Sequence, residues 1–334
     1  MKKVKIAQIG TSKHSHGLHT WRSLVKLTDF FDVAGYALPE NEREKFPQLM
    51  DDFDGFKEMT VEEILNDPEI EAVVIETEEI YLFKYAKMAI DHGKHIHMEK
   101  PGGRELEDLE YIIDNVKKKG KVFHTGYMYR YNPVVSDLME KIKRGELGEI
   151  YSVEAQMSCS EPLDCRQFLG NFKGGMMFFL GCHLVDLVYR IKGEPEKVIP
   201  FNHTIGYEGV TSEDYGMAVL DYKNGASFIK TSAHELGGFL RRQLVVAGTK
   251  GTVEIKPLEI CANGLQTTRK KECYNNYWHE DNEVETSEEY DRYDTMMSSF
   301  AEYIRGDKQN PYTPDYELSL FKLILKCCGA DADN

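Results

Sequence analysis

The chain has 334 residues, with 41 Lys plus Arg against 56 Asp plus Glu and a formal net charge of −15, a length of about two domains. Its 41% hydrophobic and 29% charged content, with 27 Gly and 11 Pro, is ordinary globular composition and excludes collagen-like or disordered chains. So acidic a chain repels a phosphate backbone or an anionic membrane, so neither nucleic acid nor a membrane is an expected partner; an anionic small ligand needs local positive ends such as helix N-termini.

Val4 to Ile9 reads as a strand, Gly10 as a turn, and His16 to Leu27 as a helix with Leu18, Trp21, Leu24 and Val25 at helical spacing. A second strand, Asp32 to Leu38, ends at Pro39. Thr60 to Leu65 predicts a helix, Ala72 to Ile75 a buried strand, Leu82 to Asp91 a helix stopped by Gly93, and Lys94 to Met98 another strand. Glu105 to Lys119 is a helix with Gly120 at its end, followed by the strand Val122 to Gly126. This β-α alternation with near-continuous apolar strands predicts a parallel sheet covered on both faces.

Beyond Tyr131 the rhythm changes. Asn132-Pro133 opens a helix running through Lys143, and strand-like runs follow at Ile150 to Met157, Val198 to Phe201, Met217 to Tyr222, Ser227 to Thr231, Gln243 to Val246 and Thr252 to Ile255. An Asn-Gly hairpin signal lies in Tyr222-Lys223-Asn224-Gly225-Ala226. A helix at His183 to Ile191 interrupts these strands, Glu280 to Asp291 reads as a solvated loop or helix face, and helices at Met296 to Ile304 and Glu317 to Lys326 follow. The second half is expected to be α+β on a mostly antiparallel sheet. Seven cysteines without a C-x-x-C pair fit a reducing compartment. Lys5 and Gln8 interrupt any secretory apolar run, and Met176 to Cys182 is far shorter than the roughly 18 residues of a membrane span. A cytoplasmic setting is expected.

The turn Gly10-Thr11-Ser12-Lys13-His14-Ser15-His16-Gly17 joins a strand to a helix, where backbone N–H groups and the helix dipole can hold a pyrophosphate. Gly10, Thr11, Ser12 and His14 are its candidate contacts. A full G-x-G-x-x-G would put glycine at Ser12 and Ser15, so an ordinary strand-to-helix turn is an equal alternative. Leu38 fills the likeliest slot for a ribose-binding acid; Glu40 is near enough to replace it, while Arg43 would instead meet a 2′-phosphate, which leaves NAD and NADP both open. His14 and His16 form an H-x-H pair that could chelate a metal in a β/α-barrel hydrolase, with His97, His124 and His183 as further ligands. The second half lacks the alternation such a barrel requires, so no metal is expected.

His97-Met98-Glu99-Lys100-Pro101-Gly102-Gly103 closes a strand at its carboxyl end, where open α/β sheets place ligands. Either Lys100 pairs structurally with Glu99, or its ammonium bonds a reacting oxygen and the cofactor ribose, with Glu99 and Thr77 beside the cofactor. Pro101 is a candidate cis residue.

Glu99-Lys100-Pro101, Gly126-Tyr127-Met128-Tyr129-Arg130-Tyr131-Asn132-Pro133, Gly174-Gly175 with Gly181-Cys182-His183-Leu184-Val185-Asp186, and Gly248-Thr249-Lys250-Gly251-Thr252-Val253-Glu254-Ile255 together resemble the Gfo/Idh/MocA family of glucose-fructose oxidoreductase and inositol dehydrogenase. The resemblance covers nearly the whole chain. It implies an N-terminal Rossmann domain, a C-terminal domain on an open sheet, and a nicotinamide cofactor, NAD or NADP, in the crevice between them. It places the family's catalytic Lys on Lys100 and its catalytic His on His183. An imidazole, with an ordinary pKa near about 6.5, suits removal of a hydroxyl proton as hydride leaves the same carbon. Asp186, three residues on, either orients His183 or pairs with Arg190.

The chain departs from the family pattern at two places. The carboxylate many members carry four residues before the His is Phe179 here, and the small or Pro-containing turn after Ala72 to Ile75 is Glu76-Thr77-Glu78-Glu79. Those acids would bind a polyol or repel the cofactor. Tyr127, Tyr129, Arg166, Lys173, Asp186 and His234 with Glu235 are candidates for substrate contact. The expectation is a two-domain oxidoreductase, residues 1–126 and 127–334, acting on a secondary alcohol or ketone of a sugar-like polyol. By resemblance it pairs into dimers or tetramers. The alternatives are a non-catalytic dinucleotide- or sugar-binding protein on the same scaffold and the metal-dependent hydrolase of His14 and His16.

Overall fold

A computed structural model of the chain describes residues 2–274 and 282–330. The fold divides into two compact units, residues 1–128 with 293–321, and residues 129–292 with 322–334. In the first unit five strands, β1 (Val4–Ile9), β2 (Phe31–Ala37), β3 (Ala72–Ile75), β4 (His95–Met98) and β5 (Phe123–Thr125), form a sheet of order β2-β1-β3-β4-β5 with every pair parallel. Helices α1 (Gly17–Lys26), α2 (Glu42–Lys45), α3 (Val61–Asn66), α4 (Leu82–Asp91) and α5 (Leu106–Lys119) connect them. Thr60 and Glu63 close a reciprocal capping box that starts α3, and Gly120 ends α5 at φ 62. Strand β3 is buried at all four positions, as a strand covered on both faces must be. The order reverses between β1 and β3, and an open parallel sheet binds ligands beyond the carboxyl ends of its strands at such a reversal.

The second unit opens with α6 (Pro133–Lys143), capped by Asn132 Oδ1, which accepts from the amides of Val134 and Val135. After β6 (Ile150–Ser158) come α7 (Leu163–Phe168), a π-helical turn at Met177–Gly181 and α8 (Cys182–Lys192). Strands β7 (Lys197–His203), β8 (Tyr215–Tyr222), β9 (Gly225–Ser232), β10 (Gln243–Gly248) and β11 (Thr252–Ile255) follow, then a small pair, β12 (Ile260–Ala262) and β13 (Leu265–Thr267), and finally β14 (Arg269–Cys273) and β15 (Val284–Thr286). Eight of these make one sheet of order β15-β14-β11-β10-β6-β9-β8-β7, antiparallel except for the parallel pair β6 and β9. The Rossmann-type first sheet and the mostly antiparallel second sheet agree with the expected fold class.

Details differ from the sequence reading. The acidic stretch expected to be loop or helix contains the exposed strand β15, and Tyr290 bridges Gln266; residues 280–281 of that stretch lie outside the described residues. The β8–β9 turn is Lys223-Asn224, because Tyr222 pairs with Gly225; the glycine closes the hairpin at φ 140 instead of sitting at its centre. The largest correction concerns the segment 293–321, assigned by sequence to the second domain. Its helix α9 (Asp294–Arg305) packs in the first unit, where Asp294 accepts from Ser23 Oγ at 2.9 Å and from Lys26 Nζ at 2.5 Å. Helix α10 (Pro314–Cys327) begins in the first unit and ends in the second. Among the described residues no helix is long and apolar enough to cross a membrane.

Candidate active site

The turn after β1 is fixed by close packing. Gly10 sits at φ 81, and a Cβ there would lie 2.3 Å from Thr77 Cγ2, so only glycine fits both the conformation and the space. Buried Gln8 donates from Nε2 to the carbonyls of Gly10 and Gly17, each at 3.0 Å, clamping the two ends of the turn together. The serines in the fingerprint's glycine slots have their own role: Ser12 Oγ accepts from the amide of His14 at 3.0 Å, and Ser15 Oγ accepts from that of Gly17 while donating to the Glu76 carbonyl, both at 3.2 Å. Side-chain hydrogen bonds thus close a turn that glycines would close by backbone freedom. Thr11 Oγ1 and Thr77 Oγ1 are buried without a hydrogen-bond partner among the described residues, and hydroxyls so placed suit a ligand rich in acceptor oxygens such as a dinucleotide.

Beyond β3 and β4 lies a buried charged cluster. Glu99 Oε2 accepts from the amide of His16 at 2.8 Å and lies 2.9 Å from His16 Nδ1, while Glu99 Oε1 accepts from the amide of Lys100 at 2.8 Å. Lys100 is 2% exposed, its Nζ 3.8 Å from both Glu79 Oε1 and Glu99 Oε1. Burial alone would raise the Glu99 carboxyl, but His16 and Lys100 outweigh it and hold Glu99 well below the usual carboxylate range. Glu76 moves the other way, pushed well up by burial and then by the charge of Glu99. Glu79 is pushed up to about 7 by burial, with Lys100 opposing and Glu99 assisting. The acids expected to face a ligand therefore differ: Glu99 is held down, Glu76 is pushed up, and Glu78 is paired with Lys45 at 3.0 Å. The Lys100–Pro101 bond is cis.

Past β2, Glu40 Oε1 accepts from Lys84 Nζ at 2.7 Å and Tyr85 Oη at 2.5 Å. Burial raises this carboxyl, but those two donors win and hold it below its ordinary value. Lys84 and Tyr85 also line a cavity of about 390 Å³ with Ala37, Leu38, Thr60 and Val61. Arg43, the rival 2′-phosphate contact, is engaged with Glu58 at 2.6 Å and Tyr36 Oη at 3.3 Å. Gly10, Thr11, Ser12, His14, Glu40, Thr77, Glu99 and Lys100 thus all follow the carboxyl ends of β1 to β4 in one unit. Tyr127 is buried in that same unit.

In the second unit His183 is buried near the start of α8, directly after the π-helical turn, and the ring of Tyr129 meets its imidazole edge-on at 5.3 Å. Tyr129 Oη donates to Glu259 Oε2 at 2.7 Å, and Arg292 grips both oxygens of Glu259 at 2.8 and 2.7 Å. Nothing in the local spacing announced this network, which joins residues more than a hundred positions apart. Phe179 is buried with its ring near Phe168 and Phe172.

Two substrate candidates are engaged within their own unit. Asp186, expected to serve His183 or Arg190, accepts from Arg130 Nε at 3.0 Å and Nη2 at 2.8 Å, both side chains being buried. Arg166 directs Nε and Nη1 to the carbonyls of Glu161 and Tyr207 and pairs with Glu208, so its donors are committed to its own unit. His234 stacks on Tyr207 at 4.4 Å, and Lys173 is exposed.

The metal reading is overturned by the fold. No β/α-barrel forms; His16 is bonded to Glu99, and His97 and His124 face one another across β4 and β5 with Nδ1 atoms 2.7 Å apart. Among the described residues no group of three or more His, Cys, Asp or Glu is arranged to hold a metal.

Residues 4–127 match the model of the oxidoreductase family with an NAD-binding Rossmann fold, and residues 135–254 match that of the GFO/IDH/MocA C-terminal domain. The chain is 27% identical over 201 residues to the uncharacterized oxidoreductase ORF334 of Rhizobium meliloti, 58% of either chain. It is 27% identical over 165 residues to the scyllo-inositol 2-dehydrogenase (NADP+) IolW of Bacillus subtilis, 48% of this chain and 46% of that one. These matches span about half the length of the curated relatives. A 3-ketoreductase from Actinomadura kijaniata, KijD10, solved with NADP and TDP-benzene, superposes with a TM-score of 0.80 at 14% identity over 97% of this chain and 96% of that one, a likeness of fold. With both family models matched in order along one chain whose two sheets have the corresponding architecture, the protein belongs to the Gfo/Idh/MocA oxidoreductase family.

Proposed function

We propose that this chain is an NAD(P)-dependent oxidoreductase that moves hydride between nicotinamide and a secondary alcohol or ketone of a sugar, cyclitol or related polyol. The observation carrying this reading is Lys100: a buried ammonium at the carboxyl end of β4, in the same unit as the Gly10 turn and the hydroxyls of Thr11 and Thr77. The relative named scyllo-inositol 2-dehydrogenase supports the polyol class. Bound nicotinamide supplies the hydride acceptor or donor. Residues 10–14, in the turn that follows β1, hold the pyrophosphate, the cavity beside Lys84 and Tyr85 receives the adenosine end, and Glu40 accepts from a ribose hydroxyl. Lys100 donates to the substrate oxygen and stabilises its negative charge, and His183 takes the hydroxyl proton. Self-association belongs to the same reading, supported by exposed apolar side chains on strands of the second unit, Tyr151, Ile199 and Phe201.

Titration with NADH and NADPH, followed by nicotinamide fluorescence, tests the first half of this function. Oxidation across a panel of cyclitols and sugars tests the second. A binding protein without turnover is the second reading, favoured by Phe179, whose ring can neither accept a proton nor bind a hydroxyl. It predicts a fluorescence change with no polyol oxidised.

A further inference from the structure

Lys100 is a charged group in a buried site, and what surrounds its ammonium decides its position. Glu99 contributes a carboxylate whose oxygens are already engaged by His16 and by the amide of Lys100. Glu79 differs from it. It lies on the short helical turn Glu79–Tyr81 after β3, is 2% exposed, and neither of its carboxyl oxygens has a hydrogen-bond partner among the described residues. Its nearest cation is Lys100 Nζ, 3.8 Å away. A buried, unsatisfied carboxyl facing one buried ammonium is a costly arrangement that the fold retains.

We propose that Glu79 is the positioning residue of Lys100: its ionised carboxylate holds the ammonium in place, and its protonation releases it. This rests on the oxidoreductase reading above for its consequence in turnover, but not for the pairing itself. The charged and titratable groups facing Glu79 are Glu76 and Glu78 on its own segment and Glu99 and Lys100 from the end of β4. Glu76 is pushed well up by burial and by Glu99, Glu99 is held well down, and Glu79 lies between them at about 7, where its charge changes near neutral pH. Gaining or losing that one proton changes the charge facing the Lys100 ammonium by one unit. An exposed Glu could not do this, since water would screen it and return it to the ordinary range.

Two measurements test the proposal on the full chain. In the first, glutamate carboxyl carbons are labelled with ¹³C and the Glu79 signal is assigned by its loss in Glu79→Gln. The expected result is an inflection near pH 7 that moves up by a unit or more in Lys100→Met, because the opposing cation is gone. An inflection between about pH 4 and 5, or one that Lys100→Met leaves in place, overturns the pairing. In the second, kcat is compared between the native chain and Glu79→Gln across pH, which cancels inflections the two share. The ratio is expected near one at pH 6 and roughly tenfold at pH 8, less than the loss of an acid–base group itself, with KM for the polyol little changed. Glu79→Asp retains the pH-dependent rise. A ratio constant across pH overturns the positioning role. If the native chain oxidises no polyol, the dehydrogenase reading fails alone, and the carbon titration still decides the pair.

Discussion

Glu99 accepts from the backbone amide of His16 and bonds its Nδ1, so a side-chain carboxylate from the end of β4 occupies the N-terminus of α1. That end of a helix attracts anions, and here the protein supplies one of its own. The carboxylate ties two strand ends together on either side of the sheet reversal. Replacing it with an amide keeps the shape but removes the charge.

Glu99→Gln is therefore expected to destabilise the fold by about 2–3 kcal/mol at pH 7, the size of charge-assisted hydrogen bonds lost. The sign with pH follows from the depressed native value of Glu99: its contribution is complete above the unfolded carboxyl value, about 4.3, and is lost as pH falls toward the lower native one. Urea unfolding at pH 7 and pH 3 checks this, the difference between native and variant shrinking at the lower pH.

Lys100→Ala should leave dinucleotide affinity within a few fold yet lower turnover by roughly two orders of magnitude or more, as expected for a lost electrostatic group. Steady-state kinetics with the polyol that the native chain oxidises best, beside NADH titration, separates the two effects. Unchanged turnover rejects the role given to Lys100.

With Glu40 placed at the ribose as proposed, NAD is the expected preference, because its ionised carboxylate would repel a 2′-phosphate while Arg43 is held by Glu58. Glu40→Ala is expected to raise the affinity for NADPH relative to NADH by roughly tenfold, equivalent to about 1.4 kcal/mol. Competitive fluorescence titration reads the ratio. A native chain that already prefers NADPH would contradict the assignment.

Arg130→Met leaves Asp186 buried without its bidentate partner and should cost about 3–5 kcal/mol, whereas Arg130→Met with Asp186→Leu should recover much of the loss. Thermal and urea unfolding of both variants measure it. Equal stability of the single and double variants would mean that Asp186 carries no penalty once Arg130 is gone.

Local signals in the sequence reached the first unit well because its strands are short apolar runs separated by helices with clear stops: Gly93 after α4 and Gly120 after α5. The same signals failed at β14, where Arg269, Lys270 and Lys271 make a strand with no apolar alternation, held by pairing with β11 and β15. The turn at Gly10 was legible, but not the whole reason that it tolerates serines, since Ser15 bonds the Glu76 carbonyl across 61 positions, a separation that spacing does not encode. Likewise Lys100 stood out by its motif, while Glu79 beside it became meaningful only when burial left it without hydrogen bonds. Asp186 illustrates the limit most sharply. It lies three positions from His183, while its partner Arg130 lies 56 positions away.

The return of α9 to the first unit also orders events at the ribosome. Phe300 stacks on His124 at 5.3 Å, and Tyr293 lies parallel to His19 at 5.2 Å. These aromatic plugs emerge only after all of residues 129–292 have been translated. During synthesis the nucleotide-binding lobe therefore waits, with its flank bare, until residues 293–321 emerge, and the lobe encoded after it receives its own last segment later still.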